Sequence, residues 1–125
     1  VKLEDLTKNN TGLQFQIAIN YGSRDEMLRA MKKMLVDYKE DKFTLDELDD
    51  AKYASYLDTA DIPDPDLMIR TSGEERLSNY LMWQHAYSEF YFTKIPWPDF
   101  SKKDLMDAIR TYTGRDRRYG AIAEE

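Results

Sequence analysis

Arg70, Arg76 and Ser78 carry the strongest chemical suggestion in this sequence. They lie in the run Arg70-Thr71-Ser72-Gly73-Glu74-Glu75-Arg76-Leu77-Ser78-Asn79, directly after the apolar stretch Leu67-Met68-Ile69. A guanidinium fork matches phosphate oxygens bidentately, and glycine lets backbone approach an anion closely. Both arginines, the Ser78 hydroxyl and neighbouring backbone N–H groups would make a pocket of fixed donors. A second polar cluster, Asn20-Tyr21-Gly22-Ser23-Arg24, ends another apolar stretch and offers Asn20 and Arg24 as supporting groups. The competing reading is that these arginines merely pair with the many local carboxylates, which stabilises little at a surface. No P-loop or dinucleotide fingerprint is present, so a nucleotide lacks its motif.

The elements that must position these residues follow from periodicity. Residues 13–20 alternate, with Leu13, Phe15, Ile17 and Ile19 on one face, which predicts a strand. Ser23 and Glu26 stand at capping-box spacing and predict a helix start. Met27, Leu28, Met31, Met34, Leu35 and Tyr38 then form one apolar stripe to about Lys39. A second box, Thr44 with Glu47, predicts a helix carrying Leu48, Ala51 and Leu57. The two prolines in residues 61–66 break the chain. Residues 67–70 read as a short buried strand, 71–73 as a loop, 80–87 as a helix and 89–93 as a third strand. Residues 97–100 read as a turn, and Ser101 with Asp104 caps a last helix bearing Leu105, Met106, Ile109 and Tyr112.

Strand and helix alternating in this way is the α/β pattern: part of a parallel sheet with right-handed crossovers, flanked by helices. Three strands are few for such a sheet, whose faces usually need cover. Ligands of open α/β sheets gather beyond the carboxyl ends of the strands, where both polar clusters fall. The opening, with Lys8-Asn9-Asn10-Thr11-Gly12 before the first strand, reads as a helix tail and turn rather than a natural start. The whole of residues 1–125 is therefore expected to be one fragment of a larger domain. No internal repeat, low-complexity segment or linker interrupts it.

Bulk composition narrows the partners. The chain has 125 residues, enough for one domain with its own core. A formal net charge of −6 argues against nucleic acid, whose affinity comes from clustered Lys and Arg. With no cysteine, disulfides, thiolate catalysis and Cys-ligated metals are excluded. No apolar run approaches the roughly 18 residues of a membrane span, and no signal peptide opens the chain. A soluble, cytoplasmic protein is the expectation.

The run from Asp64 to Phe92, Asp-Pro-Asp-Leu-Met-Ile-Arg-Thr-Ser-Gly-Glu-Glu-Arg-Leu-Ser-Asn-Tyr-Leu-Met-Trp-Gln-His-Ala-Tyr-Ser-Glu-Phe-Tyr-Phe, resembles the cis-prenyltransferase signature. So do Asn20-Tyr-Gly-Ser-Arg24, Trp97-Pro-Asp-Phe100 and Arg118-Tyr-Gly120. The resemblance is to the undecaprenyl diphosphate synthase type and covers most of the chain from Leu13 onward. It implies an enzyme that condenses isopentenyl diphosphate onto an allylic diphosphate with Mg²⁺, making cis-polyprenyl diphosphates for cell-wall lipid carriers. By motif position it implies an isopentenyl diphosphate clamp of Arg70, Arg76, Leu77 and Ser78. It also implies Glu89 as a Mg²⁺ ligand, and Arg118 and Gly120 reaching a diphosphate across a homodimer interface. Position 75 is Glu where some members carry His near the metal, so the resemblance gives it no metal role. No Asp-Gly-Asn-Gly-Arg-Trp-like loop appears, so the essential aspartate is expected in a missing N-terminal half, with no catalytic residue assigned here. The fragment is accordingly expected to be inactive alone, and to meet a membrane only through the lipid product.

Two other readings stand beside it: a non-catalytic dimerisation or accessory module of a heteromeric prenyltransferase, and an unrelated phosphate-binding α/β domain. Plainer roles also compete residue by residue. The aromatic group around Trp83, Phe90 and Trp97 suits a core or interface, and Met27, Met31 and Met34 suit helix packing. His85, the one histidine, suits a structural place, and residues 46–50 a solvated acidic face. Arg115 and its basic neighbours suit a helix C-terminus. If the strands are parallel, Glu89 begins one and Arg70 ends another, so the two face opposite edges of the sheet. Either an intervening long helix bends Glu89 back, or Glu89 serves a site completed by a neighbouring subunit.

Overall fold

A computed structural model describes residues 2–115. Its elements run α1 (Lys2–Thr7), α2 (Ser23–Lys39), α3 (Asp50–Ala54), β1 (Leu67–Arg70), β2 (Glu89–Phe92) and α4 (Lys102–Thr113), with 3-10 turns at Leu45–Glu47 and Trp97–Asp99. β1 and β2 pair in parallel, Leu67 opposite Glu89 and Arg70 opposite Phe92. The α/β class is as expected, a parallel sheet flanked by helices. Arg118 and Gly120 lie outside the described residues.

Several expectations need correction. Residues 13–20 form no strand among the described residues, Asn20 turning at φ 52°, and their apolar face is uncovered, from 70% exposed at Ile17 to 92% at Leu13. Period-two alternation reports one apolar face; it cannot supply the neighbouring strand whose N–H and C=O groups make a ladder. The sheet therefore has two strands rather than three. The second predicted helix divides, because its capping box closes only the 3-10 turn. Asp49 then caps the short α3 anew, its carboxylate accepting from Lys52 N–H at 2.7 Å. Residues 80–87 form turns instead of a helix, since Ser78, Asn79 and Leu81 all adopt positive φ and break the α geometry at its start.

The expected apolar stripe is not the packed face of α2: Ser23, Glu26 and Ala30 are buried, while of the stripe Met27 and Met34 are half-buried and Leu28, Met31, Leu35 and Tyr38 are exposed. The segment after α3 straps across this inner face. Tyr53 stacks edge-on to Trp83, with ring centroids 4.6 Å apart. Arg29 grips both Asp58 oxygens, at 2.9 and 2.6 Å, and so holds that carboxyl below the usual carboxylate range. Phe43, Leu57, Met68 and Ala108 complete a small core.

α4 begins where the sequence indicated. Asp104 accepts from Ser101 N–H at 2.8 Å, and the Ser101 hydroxyl faces the Asp104 amide in return. Ser101→Ala is expected to lower stability by about 1 kcal/mol, measured by chemical denaturation.

The connection between the strands is pinned by His85, only 6% exposed. Ser88 donates to the Pro65 carbonyl at 2.5 Å, so at 2.8 Å the His85 Nδ1 is the donor to Ser88 Oγ. Nε2 is then a bare acceptor, buried without a partner among the described residues. Burial lowers the pKa of the ring, opposed by the charge of Asp64. The folded state thus refuses a proton that the unfolded chain accepts below about pH 6.5. Its contribution is complete above that value and is lost progressively as pH falls from there through the lower pKa of the folded state. Denaturation midpoints should drop as pH falls below about 6.5, and His85→Gln should flatten this limb.

Candidate diphosphate site

Arg70 is the last residue of β1, so the strand itself delivers its side chain to the carboxyl edge of the sheet. Its Nη1 donates to the Arg76 carbonyl, which folds residues 71–76 back over the strand end. The resulting cleft, about 220 Å³, is lined by Met68, Ile69, Arg70, Thr71, Arg76, Leu77 and Tyr80. Three of the four expected clamp residues, Arg70, Arg76 and Leu77, therefore share one concave surface. Ser78 follows immediately, exposed and in left-handed backbone, and does not line it.

The cleft's charge is only partly spent. Arg76 pairs with Glu74, both side chains being well exposed. Such a pair contributes little, and a multiply charged anion competes effectively for the same guanidinium. The carboxylate-pairing alternative is thus true of Arg76, whereas Arg70 donates from Nη1 to a carbonyl and keeps further donors in its fork.

One sequence expectation fails here. Ser72 N–H donates to the Ile95 carbonyl and Gly73 N–H to the Thr93 carbonyl, each at 2.9 Å. These amides tie the loop to the chain after β2 and are not offered to an anion. The turn needs positive φ at both positions, 66° at Ser72 and 71° at Gly73. Gly73 meets that need without the Cβ clash of other residues.

The second polar cluster meets the first across the α2 N-terminus. Gly22 occupies the N-cap position but has no side chain to cap with. Asn79 does that work from outside: its carbonyl accepts Ser23 N–H at 2.8 Å and its Oδ1 accepts Arg24 N–H at 2.9 Å. Ser23, read as the cap, instead lies inside the helix and accepts Met82 N–H at 2.9 Å. A Cβ on Gly22 would stand 2.8 Å from the Asn79 amide nitrogen, so a larger residue there forces that side-chain amide to shift. Asn20 and the Arg24 side chain are exposed and outside the cleft lining.

Beneath this junction Glu26 is 1% exposed. Its carboxylate accepts from Tyr21 OH, from Asp58 N–H at 2.9 Å and from the Gln84 amide at 3.2 Å. Gln84, 2% exposed, also donates to Thr59 at 3.0 Å. Burial and the bond to Glu26 push the Tyr21 phenol up to about 12, so it stays a donor. Sequence reading missed Glu26, Gln84 and Asn79 as organisers. Spacing reads Glu26 only as the partner of Ser23 in a capping box, and exposed Asn79 gives no signal by burial.

Glu89 opens β2 at the opposite edge from Arg70, three residues away in register and roughly 10 Å along the strands. The long helix that would bend it back is absent, because residues 80–87 are turns. Arg115 occupies its carboxylate, Nη1 donating to Oε2 at 2.7 Å and to the Phe90 carbonyl at 3.0 Å. No group of three His, Asp or Glu side chains suited to a metal exists among the described residues. One engaged carboxylate does not make a Mg²⁺ site by itself. No helix among the described residues is long and apolar enough to cross a membrane.

Comparison with known proteins gives a consistent result. Residues 1–120 match the family profile described as "Putative undecaprenyl diphosphate synthase". An isoprenyl transferase of Clostridium acetobutylicum is 56% identical over 119 residues, covering 93% of this chain and 46% of the relative. The tritrans,polycis-undecaprenyl-diphosphate synthase (geranylgeranyl-diphosphate specific) of Thermoplasma acidophilum is 51% identical over 118 residues, covering 94% and 46%. Lavandulyl diphosphate synthase from Lavandula x intermedia, solved in complex with dimethylallyl diphosphate, superposes with a TM-score of 0.91 at 38% identity, covering 95% of this chain and 51% of that one. The chain spans about half the length of the curated relatives it matches. With a profile match over nearly its whole length and relatives at this identity, the chain belongs to the undecaprenyl diphosphate synthase family of prenyltransferases.

Proposed function

We propose that this chain is the C-terminal half of a cis-prenyltransferase and carries its isopentenyl diphosphate cleft. The observation that supports the reading is the convergence of Arg70, Arg76 and Leu77 on one concavity at the carboxyl end of β1. A diphosphate loses its hydration on binding, and fixed guanidinium donors replace that water at little reorganisation cost. Ser78 would join the clamp from the adjoining loop. Two relatives are described with allylic diphosphates, one as geranylgeranyl-diphosphate specific and one bound to dimethylallyl diphosphate. That supports an allylic diphosphate as co-substrate.

In the reaction the allylic C–O bond breaks and inorganic diphosphate leaves. A C–C bond forms to the isopentenyl double bond, and a proton is lost from the resulting cation. The role of these residues is to hold the isopentenyl headgroup so that its double bond meets the allylic carbon, a positioning contribution. Mg²⁺ supplies charge neutralisation on the diphosphate. Glu89 would give it one carboxylate, with the remaining ligands outside the described residues. We further propose a cytoplasmic homodimer in which Arg118 and Gly120 serve the partner's diphosphate, with a cis-polyprenyl diphosphate for cell-wall lipid carriers as product.

Arg70→Ala or Arg76→Ala in the full-length protein should weaken isopentenyl diphosphate binding by about 1–3 kcal/mol, read by isothermal titration calorimetry. Unchanged affinity in both variants would falsify the clamp. The 125 residues alone should show no prenyl transfer with radiolabelled isopentenyl diphosphate; turnover there would contradict the proposed division of the enzyme.

A further inference from the structure

The cleft-bearing segment docks on the α2 N-terminus through the backbone carbonyl and side chain of Asn79 and the hydroxyl of Ser23. Asn79 stands three residues after Arg76, in left-handed backbone at φ 62°, between Ser78 at 49° and Leu81 at 44°. Backbone of this kind persists only where surrounding bonds over-determine it, and here those bonds are visible. Asn79 uses both of its oxygens on the first amides of α2, Ser23 N–H and Arg24 N–H, and Met82 N–H closes the segment on Ser23 Oγ. These amides are among the four that a helix start leaves without partners, so each bond satisfies both sides. Upstream, the Arg76 carbonyl receives the Arg70 guanidinium. A shift of residues 76–79 therefore moves both arginines of the cleft together.

We infer that Asn79 is a positioning residue for the diphosphate cleft: its carboxamide, seated against Gly22, fixes where Arg76 and Arg70 present their guanidinium groups. The inference rests on the proposed reading of that cleft. It assigns Gly22 a matching task, since any side chain there drives the Asn79 amide away from Arg24. Chemically the requirement is an acceptor at Oδ1 on a residue that tolerates left-handed backbone. Asparagine meets both demands, aspartate retains the acceptor, and glycine retains only the backbone freedom.

The test uses the full-length protein with three variants. Asn79→Gly keeps the backbone and removes the acceptor; it should raise the dissociation constant and KM for isopentenyl diphosphate by about tenfold. The KM for the allylic diphosphate should stay within about twofold, because only one headgroup is displaced. Asn79→Asp should restore the isopentenyl diphosphate KM to within about threefold of the parent, since the acceptor returns. Gly22→Ala reaches the same displacement from the opposite side and should reproduce the Asn79→Gly pattern. A purely structural role predicts instead that both KM values rise together while thermal stability falls, without rescue by Asp. That result, or an unaltered isopentenyl diphosphate KM in Asn79→Gly and Gly22→Ala, overturns the inference. Arg76→Ala serves as the control. If it weakens binding while the Asn79 variants do not, positioning alone is wrong; if it has no effect, the cleft reading fails and the inference with it.

Discussion

The docking of residues 78–82 on the first turn of α2 is the constraint around which the rest of this chain is arranged. A helix start presents amides that must find acceptors, and here the acceptors come from a loop 55 residues away in sequence. Once Asn79 is held there, the chain on one side must return to Arg70 and the cleft, and on the other must descend through Gln84 and His85 into β2. Positive φ at three residues of this segment costs of order 1–3 kcal/mol each, offset by hydrogen bonds that no regular helix through the same residues would have made.

The buried polar group below the junction works in the same direction. Glu26 lies where an amphipathic helix ordinarily carries an apolar residue, yet its carboxylate is surrounded by the Tyr21 hydroxyl, the Asp58 amide and the Gln84 side chain. Around the Glu26 carboxylate this network specifies geometry, since any slip leaves that charge short of donors in a low dielectric. The network ties α2 to the strap after α3 and to the turns before β2.

Glu89 and Arg70 illustrate how parallel pairing distributes chemistry. The register puts them at opposite ends of adjacent strands, three residues apart, roughly 10 Å along the strand direction. The engagement of Glu89 by Arg115 places the start of the basic C-terminal segment beside that carboxylate rather than beside the cleft.

Local chemistry was legible in the sequence wherever it was decided locally. The Ser101–Asp104 box, the span of α2, both paired strands and the arginines at the end of β1 follow from spacing and propensity alone, because their determinants lie within a few residues. Tertiary structure decided the rest. The strand expected at residues 13–20 had the correct alternation but no neighbour to complete a ladder. The helix expected at 80–87 gave way to turns because Asn79 is captured by a distant helix start. The cap read at Ser23 belongs to Asn79, and the amides of Ser72 and Gly73 belong to the chain after β2. Each of these depends on a hydrogen-bond partner far away in sequence, and periodicity records which face is apolar without recording which donor will meet which acceptor.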